Sequence, residues 1–201
     1  MKKQLLACVL VCGSVLAHAQ VQEPSKARFV GRIGMGFGSA ALDSGFYTDG
    51  STWEVSSGNG LKYALGADYR LGKNFTLQAT IGKEQSTLQA SNAELMFSRT
   101  PVELLGFIDV NKEIRFGLGV RKSTNPQVTG SGVTSNNASV GAWDSSVGGV
   151  LELQYILDTT ERQTGGPGQF GVNLRYVSET FTKGAVSKIA DHFELGLFLN
   201  Y

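Results

Sequence analysis

Apolar and polar residues alternate with a period of two over most of the chain, and the alternation is cleanest at its end. Phe193, Leu195, Leu197, Leu199 and Tyr201 occupy every second position, with Glu194, Gly196, Phe198 and Asn200 between them. In an extended strand the first set shares one face and the second set the other. The same period predicts seven earlier strands. Residues 28–38 set Phe29, Ile33, Met35 and Phe37 against Arg28, Arg32, Gly34 and Gly36. Residues 61–71 set Leu61, Tyr63, Leu65, Ala67, Tyr69 and Leu71 against Lys62, Ala64, Gly66, Asp68 and Arg70. Strands follow at 75–83, 114–121 and 169–181, each with one apolar parity. A sixth, at 142–157, puts Trp143, Val147, Leu151, Leu153 and Tyr155 opposite Gly148, Glu152 and Gln154. The segment 93–108 is the irregular one. Leu95 and Phe97 set one parity and Val102, Leu104 and Ile108 the other, which predicts a β-bulge near residues 99–101, where Pro101 cannot donate to a ladder.

The connections alternate in length. Residues 39–60, 84–92, 122–141 and 182–188 read as polar loops, and 72–74, 109–113 and 158–168 as turns. An even number of strands with turns on one side and longer loops on the other predicts an all-β fold, an eight-stranded antiparallel up-and-down transmembrane β-barrel. A soluble eight-stranded barrel would also alternate, but its outer polar face would be rich in Lys, Glu and Thr. Here that face mixes charges with Gly34, Gly36, Gly66, Gly82, Gly117, Gly119, Gly148, Gly171 and Gly196. Glycine weakens an exposed strand, whereas a lumen just wide enough for side chains needs small neighbours beside large charged ones. Tyr69, Phe75, Tyr155, Phe170 and Tyr201 stand near the turn side of the apolar face, as an interfacial girdle would.

Residues 1–19 read as a secretory signal: Lys2 and Lys3, an apolar run over residues 5–16, and Ala17-His18-Ala19 as the small-x-small cleavage site. That run is too short to span a bilayer as a helix, and it continues past Cys8, which argues against a lipoprotein box. Both cysteines, Cys8 and Cys12, lie in the leader, so the mature chain offers neither a disulfide scaffold nor a thiolate metal site. Without Lys2 and Lys3 the chain carries 16 basic and 17 acidic residues, a net charge of −1, which gives no reason to expect nucleic acid as a partner. One domain is expected, residues 20–201.

The terminal stretch from Phe193 through Leu195, Leu197 and Leu199 to Tyr201 resembles the C-terminal signature of bacterial outer-membrane β-barrels. The mature chain as a whole resembles the OmpA/OmpX-like superfamily, and Tyr63-Ala-Leu-Gly-Ala-Asp-Tyr-Arg-Leu-Gly-Lys-Asn-Phe75 looks like its second strand, turn and third strand. The resemblance implies a Gram-negative cell outer membrane, outer-membrane lipids and lipopolysaccharide as neighbours, and a last strand read by the barrel-assembly machinery. It implies no cofactor. Unlike the two-domain members, this chain is expected to carry no cell-wall-binding domain after its last strand. The superfamily contains adhesins, structural anchors and enzymes, so the likeness is strong for fold and weak for role.

Ionisable residues fall on the inward parity of most strands: Arg28, Arg32, Lys62, Asp68, Arg70, Glu103, Arg115, Arg121, Glu152, Arg175, Glu179, His192 and Glu194. Buried charges persist when paired, so a plugging network is expected, with Asp68, Glu152 and Glu194 each between cations and Arg70, Arg115 and Arg175 as partners. A small pore is the alternative. A lipid A deacylase-like enzyme is a second alternative, but its His-x-Ser motif is missing, because Phe193 and Glu194 follow His192. No catalytic residue and no metal ligand set is assigned. Asp43, Asp49 and Glu54 in the first loop read as solvated carboxylates. Phe46, Tyr47 and Trp53 in the same loop are candidates for contact with lipopolysaccharide or a host or cell-surface ligand. The expectation is a closed barrel with a structural or adhesin-like role.

Overall fold

The computed structural model describes residues 26–46, 50, 52–90, 93–157 and 169–201; the leader at 1–19 and the turn at 158–168 lie outside them. Eight long strands carry the architecture: β1 (Ala27–Phe37), β2 (Gly60–Arg70), β3 (Phe75–Ala90), β4 (Ala93–Asp109), β5 (Ile114–Gly132), β6 (Val147–Ile156), β7 (Gln169–Ser178) and β8 (His192–Asn200). Each pairs antiparallel with its chain neighbours, and β1 pairs with β8, so the sheet closes on itself. The closing register sets Gly34 opposite Gly196. A Cβ at Gly34 would stand 2.6 Å from the Leu195 carbonyl oxygen, so this position of the seam has no room for a side chain.

Alternation decides which way each side chain points. The outer wall is apolar and exposed: Ile33 (53%), Leu65 (54%), Leu118 (61%) and Leu195 (57%) stand on it, among many others. The inner parity is buried and largely polar, including Arg32, Lys62, Gln78, Glu103, Arg121, Glu152, Asn173 and Glu194. An apolar exterior around a charged interior inverts the arrangement of a water-soluble domain.

Three expectations from the sequence need correction. First, β3 and β5 run well past the expected loop boundaries, so residues 84–90 and 122–132 are strand. There both faces are polar, and alternation loses its apolar marker. Second, β4 keeps one parity: Leu95, Phe97, Arg99, Pro101, Glu103, Leu105 and Phe107 all point inward. The register shift lies at Arg99, where Ser98 pairs with Gln127 and Thr100 with Thr124, so that Asn125 and Pro126 together oppose Arg99 and β5 carries one extra residue. Asn125 takes a φ of 50°, a left-handed conformation that Asn tolerates better than branched residues. Inward parity on β5 changes there, from Arg121 and Ser123 to Pro126 and Val128. Third, the sixth strand begins at Val147; Trp143 precedes it and is buried, away from the outer wall.

Short elements cover the end of the barrel opposite the turns. Ala41–Phe46 and Thr52–Ser56 form a hairpin. Thr180–Lys183 pairs with Val186–Ile189 and with Asp144–Ser145.

Candidate functional site

The middle of the lumen holds five cations and five carboxylates, one or more from every barrel strand or the segment beside it. Arg32 reaches Glu103 at 2.5 Å and Glu152 at 2.9 Å. Arg175 pairs with Glu103 at 2.7 Å, Glu152 at 3.0 Å, and Glu194. Arg121 touches four carboxylates: Glu84 at 2.6 Å, Glu194 at 3.1 Å, Glu103 at 3.2 Å and Glu179 at 3.3 Å. Arg99 joins Glu84 at 2.6 Å to Glu179 at 2.9 Å, and Lys62 joins Glu84 at 2.9 Å to Glu194 at 3.3 Å. Every acid therefore has at least two cations, and the cluster is neutral as a whole. That balance offsets the several kcal/mol that each unpaired buried ion would otherwise cost.

A second, smaller cluster lies towards the turns. Asp68 sits between Arg28 at 2.9 Å and Arg115 at 3.7 Å, and Arg115 also approaches Asp109 at 3.4 Å. Asp68, Glu152 and Glu194 thus each lie between cations, with Arg115 and Arg175 among them. Arg70 is elsewhere, at the turn end, beside Lys73, Asn74 and Asp109. Two central members, Glu84 and Arg99, escape sequence reasoning, because the pattern places the first in a loop and the second in a bulge. Extending the inward parity from Thr76, Gln78 and Thr80 by two more steps reaches Glu84.

Little space is left. A cavity among Arg32, Glu103, Asn173, Arg175 and Glu194 measures about 30 Å³, room for one or two waters. Glu84, His192 and Glu194 bring their ligand atoms within 4.8 Å of one another, as a metal site would. The Lys62 ammonium already occupies that position, 2.9 Å from Glu84 and 3.2 Å from His192 Nε2. His192 Nδ1 faces the Ala190 carbonyl at 2.6 Å, so the ring is held on both sides inside the lumen.

Directly above the charges sits an apolar cluster built from the capping elements: Leu42, Val55, Leu95, Phe97, Val128, Trp143, Phe181 and Ala190. Arg99 forms the junction, its guanidinium 5.0 Å from the Phe181 ring centre and 5.7 Å from that of Phe97. Phe97 and Phe181 pack edge to face at 5.3 Å. Leu95 and Phe97 carry the parity opposite to the wall residues because they fill this cap.

No protein-family model and no curated protein matches the sequence. Among solved structures the chain is similar to Ail, the attachment invasion locus protein of Yersinia pestis, in complex with the heparin analogue sucrose octasulfate, at 12% identity and a TM-score of 0.50, over 87% of this chain and 97% of that one. It is likewise similar to Neisserial surface protein A at 13% identity and a TM-score of 0.50, over 89% and 98%. These are small outer-membrane barrels. The chain has the same fold. It is a closed eight-stranded antiparallel barrel, and its apolar wall is the surface that meets the lipid of the outer membrane.

In this outer-membrane barrel the short turns and the Tyr201 end face the periplasm, and the cap faces outward from the cell. Phe193, Leu195, Leu197 and Leu199 all lie on the lipid face of β8, and Tyr201 exchanges backbone bonds with Phe29 at 2.6 and 2.8 Å. Of the three loop aromatics, Phe46 is 78% exposed at the hairpin end, Trp53 packs half-buried against the cap cluster, and Tyr47 lies outside the described residues. Asp43 accepts hydrogen bonds from Asn137 at 3.2 Å and Ser139 at 2.6 Å, and so serves as a tie between loops.

Proposed function

We propose that the protein is a rigid surface-presenting barrel with an adhesin-like role, its extracellular cap the contact surface and its lumen closed. The observation that carries this reading is the stacking of two cores. A neutral ionic plug fills the barrel, and an apolar core above it holds the loops as one ordered body. Such a base lets exposed apolar residues stay at the tips: Phe46 (78%), Val133 (71%) and Val186 (49%). Ordered loops lose little entropy on binding, and exposed apolar groups on a rigid base favour a protein or glycan surface as partner. His192 lies under the cap with its ring nitrogens engaged, a poor position for attacking an acyl chain in lipid.

Cells displaying the protein should adhere to immobilised matrix proteins or sulfated polysaccharide more than cells without it. The triple variant Phe46→Ser, Val133→Ser, Val186→Ser, at equal surface level, should lose most of that gain. Equal adhesion by both, or by cells lacking the protein, would remove the cap from its role. Mass spectrometry of lipid A from the same cells should show unchanged acyl chains.

A further inference from the structure

Where β3, β4 and β5 rise above the lipid-facing wall, their outward face becomes polar and almost uncharged. Ile81 pairs with Val102 on the wall, both exposed, and past Lys83 the same parity carries glutamine, threonine and serine. The register sets these side chains in rows across the three strands. Gln85, Ser98 and Gln127 make one row, and Thr87, Met96 and Thr129 the next. Gln89, Glu94 and Ser131 make the uppermost. Same-face residues lie about 6.8 Å apart along a strand and adjacent strands about 4.8 Å apart, so the outermost Cα atoms span roughly 14 by 10 Å.

The face is both rigid and open. Its reverse side packs into the cap through Leu88, Leu95, Phe97 and Val128. Gln85 Nε2 donates to Met96 Sδ at 2.6 Å, and the Thr129 hydroxyl donates to the Met96 carbonyl at 3.4 Å, which fixes the middle of the array. Gln85, Thr87, Gln89, Gln127 and Ser131 are exposed, so their amides and hydroxyls stand in water as donors and acceptors at once. Glu94 is the only formal charge in the three rows.

That chemistry selects the occupant. A nucleic acid or a sulfated polymer needs Lys or Arg, and the rows hold neither. A protein partner is anchored by aromatic residues or Arg, which are also absent. A lipid chain needs apolar surface, and Met96 alone supplies it. An uncharged polyol fits: its hydroxyls pair with hydroxyls and amides in either sense, and the Met96 thioether meets the C–H face of a sugar ring. Strand faces of other small β-folds bind oligosaccharides. We propose that this face binds an uncharged polysaccharide on a surface outside the cell, the chain lying across the rows. Sugars next to the leaflet carry phosphate, for which the rows offer no cation, so the cell's own lipopolysaccharide is not the occupant. The inference uses a different surface from the Phe46, Val133 and Val186 tips and stands without them.

The test uses the mature barrel in phosphatidylcholine vesicles and beads coated with dextran, mannan or chitohexaose. Each vesicle carries many barrels, so weak single contacts add, and retention on at least one coat should exceed that of empty vesicles about tenfold. Thr87→Glu with Thr129→Glu should bring retention down to the empty-vesicle level. Gln89→Glu with Ser131→Glu serves if that variant gives no heat-modifiable band. The triple variant Phe46→Ser, Val133→Ser, Val186→Ser should bind as the parent does. Beads of carboxymethyl-dextran or albumin should retain no more than empty vesicles do. Retention on none of the neutral coats, undiminished retention of the acidic variants, or equal loss in the tip variant would overturn the proposal. So would equal retention on either comparison bead, or complete release by polysaccharide cleaved from the cell's own lipopolysaccharide.

Discussion

Replacing Glu84 with glutamine tests the plug with almost no change in shape. The Glu84 carboxylate lies 2.6 Å from Arg99, 2.6 Å from Arg121 and 2.9 Å from Lys62, with its side chain 7% exposed. Glutamine keeps the volume but leaves five cations facing four carboxylates. Breaking a buried pair costs about 3–5 kcal/mol. Each of the three cations retains another acid, Arg99 with Glu179, Lys62 with Glu194 and Arg121 with three more. The loss therefore falls at the low end, about 3 kcal/mol. In a barrel of this length that is a drop of roughly 6–12 °C in the temperature at which the folded gel band disappears. Urea titration in detergent micelles, read by the heat-modifiable shift, gives the free energy. The double variant Lys62→Met, Glu84→Gln restores neutrality and should be less destabilised than Glu84→Gln alone, a positive coupling between the two sites. A loss under about 1 kcal/mol for the single variant, the scale of a solvent-exposed pair, would show that water screens the lumen and that it is no dry plug.

Four further outcomes are expected. In planar bilayers the protein should give no large steady conductance at neutral pH, and a stable open level would refute the closed lumen. Asn125→Gly should leave stability unchanged or slightly raised, whereas Asn125→Val should lose about 1–2 kcal/mol in the same urea titration, because valine resists the left-handed backbone. Phe97→Ala opens a hole in the cap worth about 3–5 kcal/mol of local stability, so proteolysis of the extracellular elements should accelerate while the heat-modifiable shift persists. Deleting Tyr201 removes its two backbone bonds to Phe29 at the closing seam, and pulse-chase assays should show less assembled barrel than for a loop change such as Val133→Ser.

Much of the barrel is legible from residue periods. Where a strand separates lipid from lumen, each step flips between two environments, and β1, β2, β7 and β8 carry that signal over most of their length. The signal fails where the strand leaves the bilayer. Gln85, Ser86, Thr87 and Gln89 continue β3 with no apolar side to mark, so the extension reads as loop and takes Glu84 with it. It fails again where the interior turns apolar. Leu95 and Phe97 look like wall residues with the wrong phase, but they are core residues of the cap. Trp143 misleads for the same reason, sharing a parity with Val147 while packing in the apolar cluster of the cap. The pairing inside the plug is only half legible. Acids and bases on one parity announce that a network exists, but which reaches which depends on the curvature of the closed sheet. Arg70 sits on the right parity and lies too near the periplasmic mouth to reach the central acids.

The cross-lumen pairs also bear on the order of events during biogenesis. Arg32 finds Glu103 and Glu152 at separations of 71 and 120 residues, and Arg121 finds Glu194 at 73. None of these contacts exists in a flat sheet, whatever number of strands it has gathered, because they span the lumen instead of following the ladder. A half-curled intermediate that slid into the hydrocarbon would carry bare guanidinium groups with it, a penalty of several kcal/mol for each. The same residues that plug the finished barrel therefore act as a checkpoint on its assembly: until β1 meets β8, water is the better solvent for the inner face.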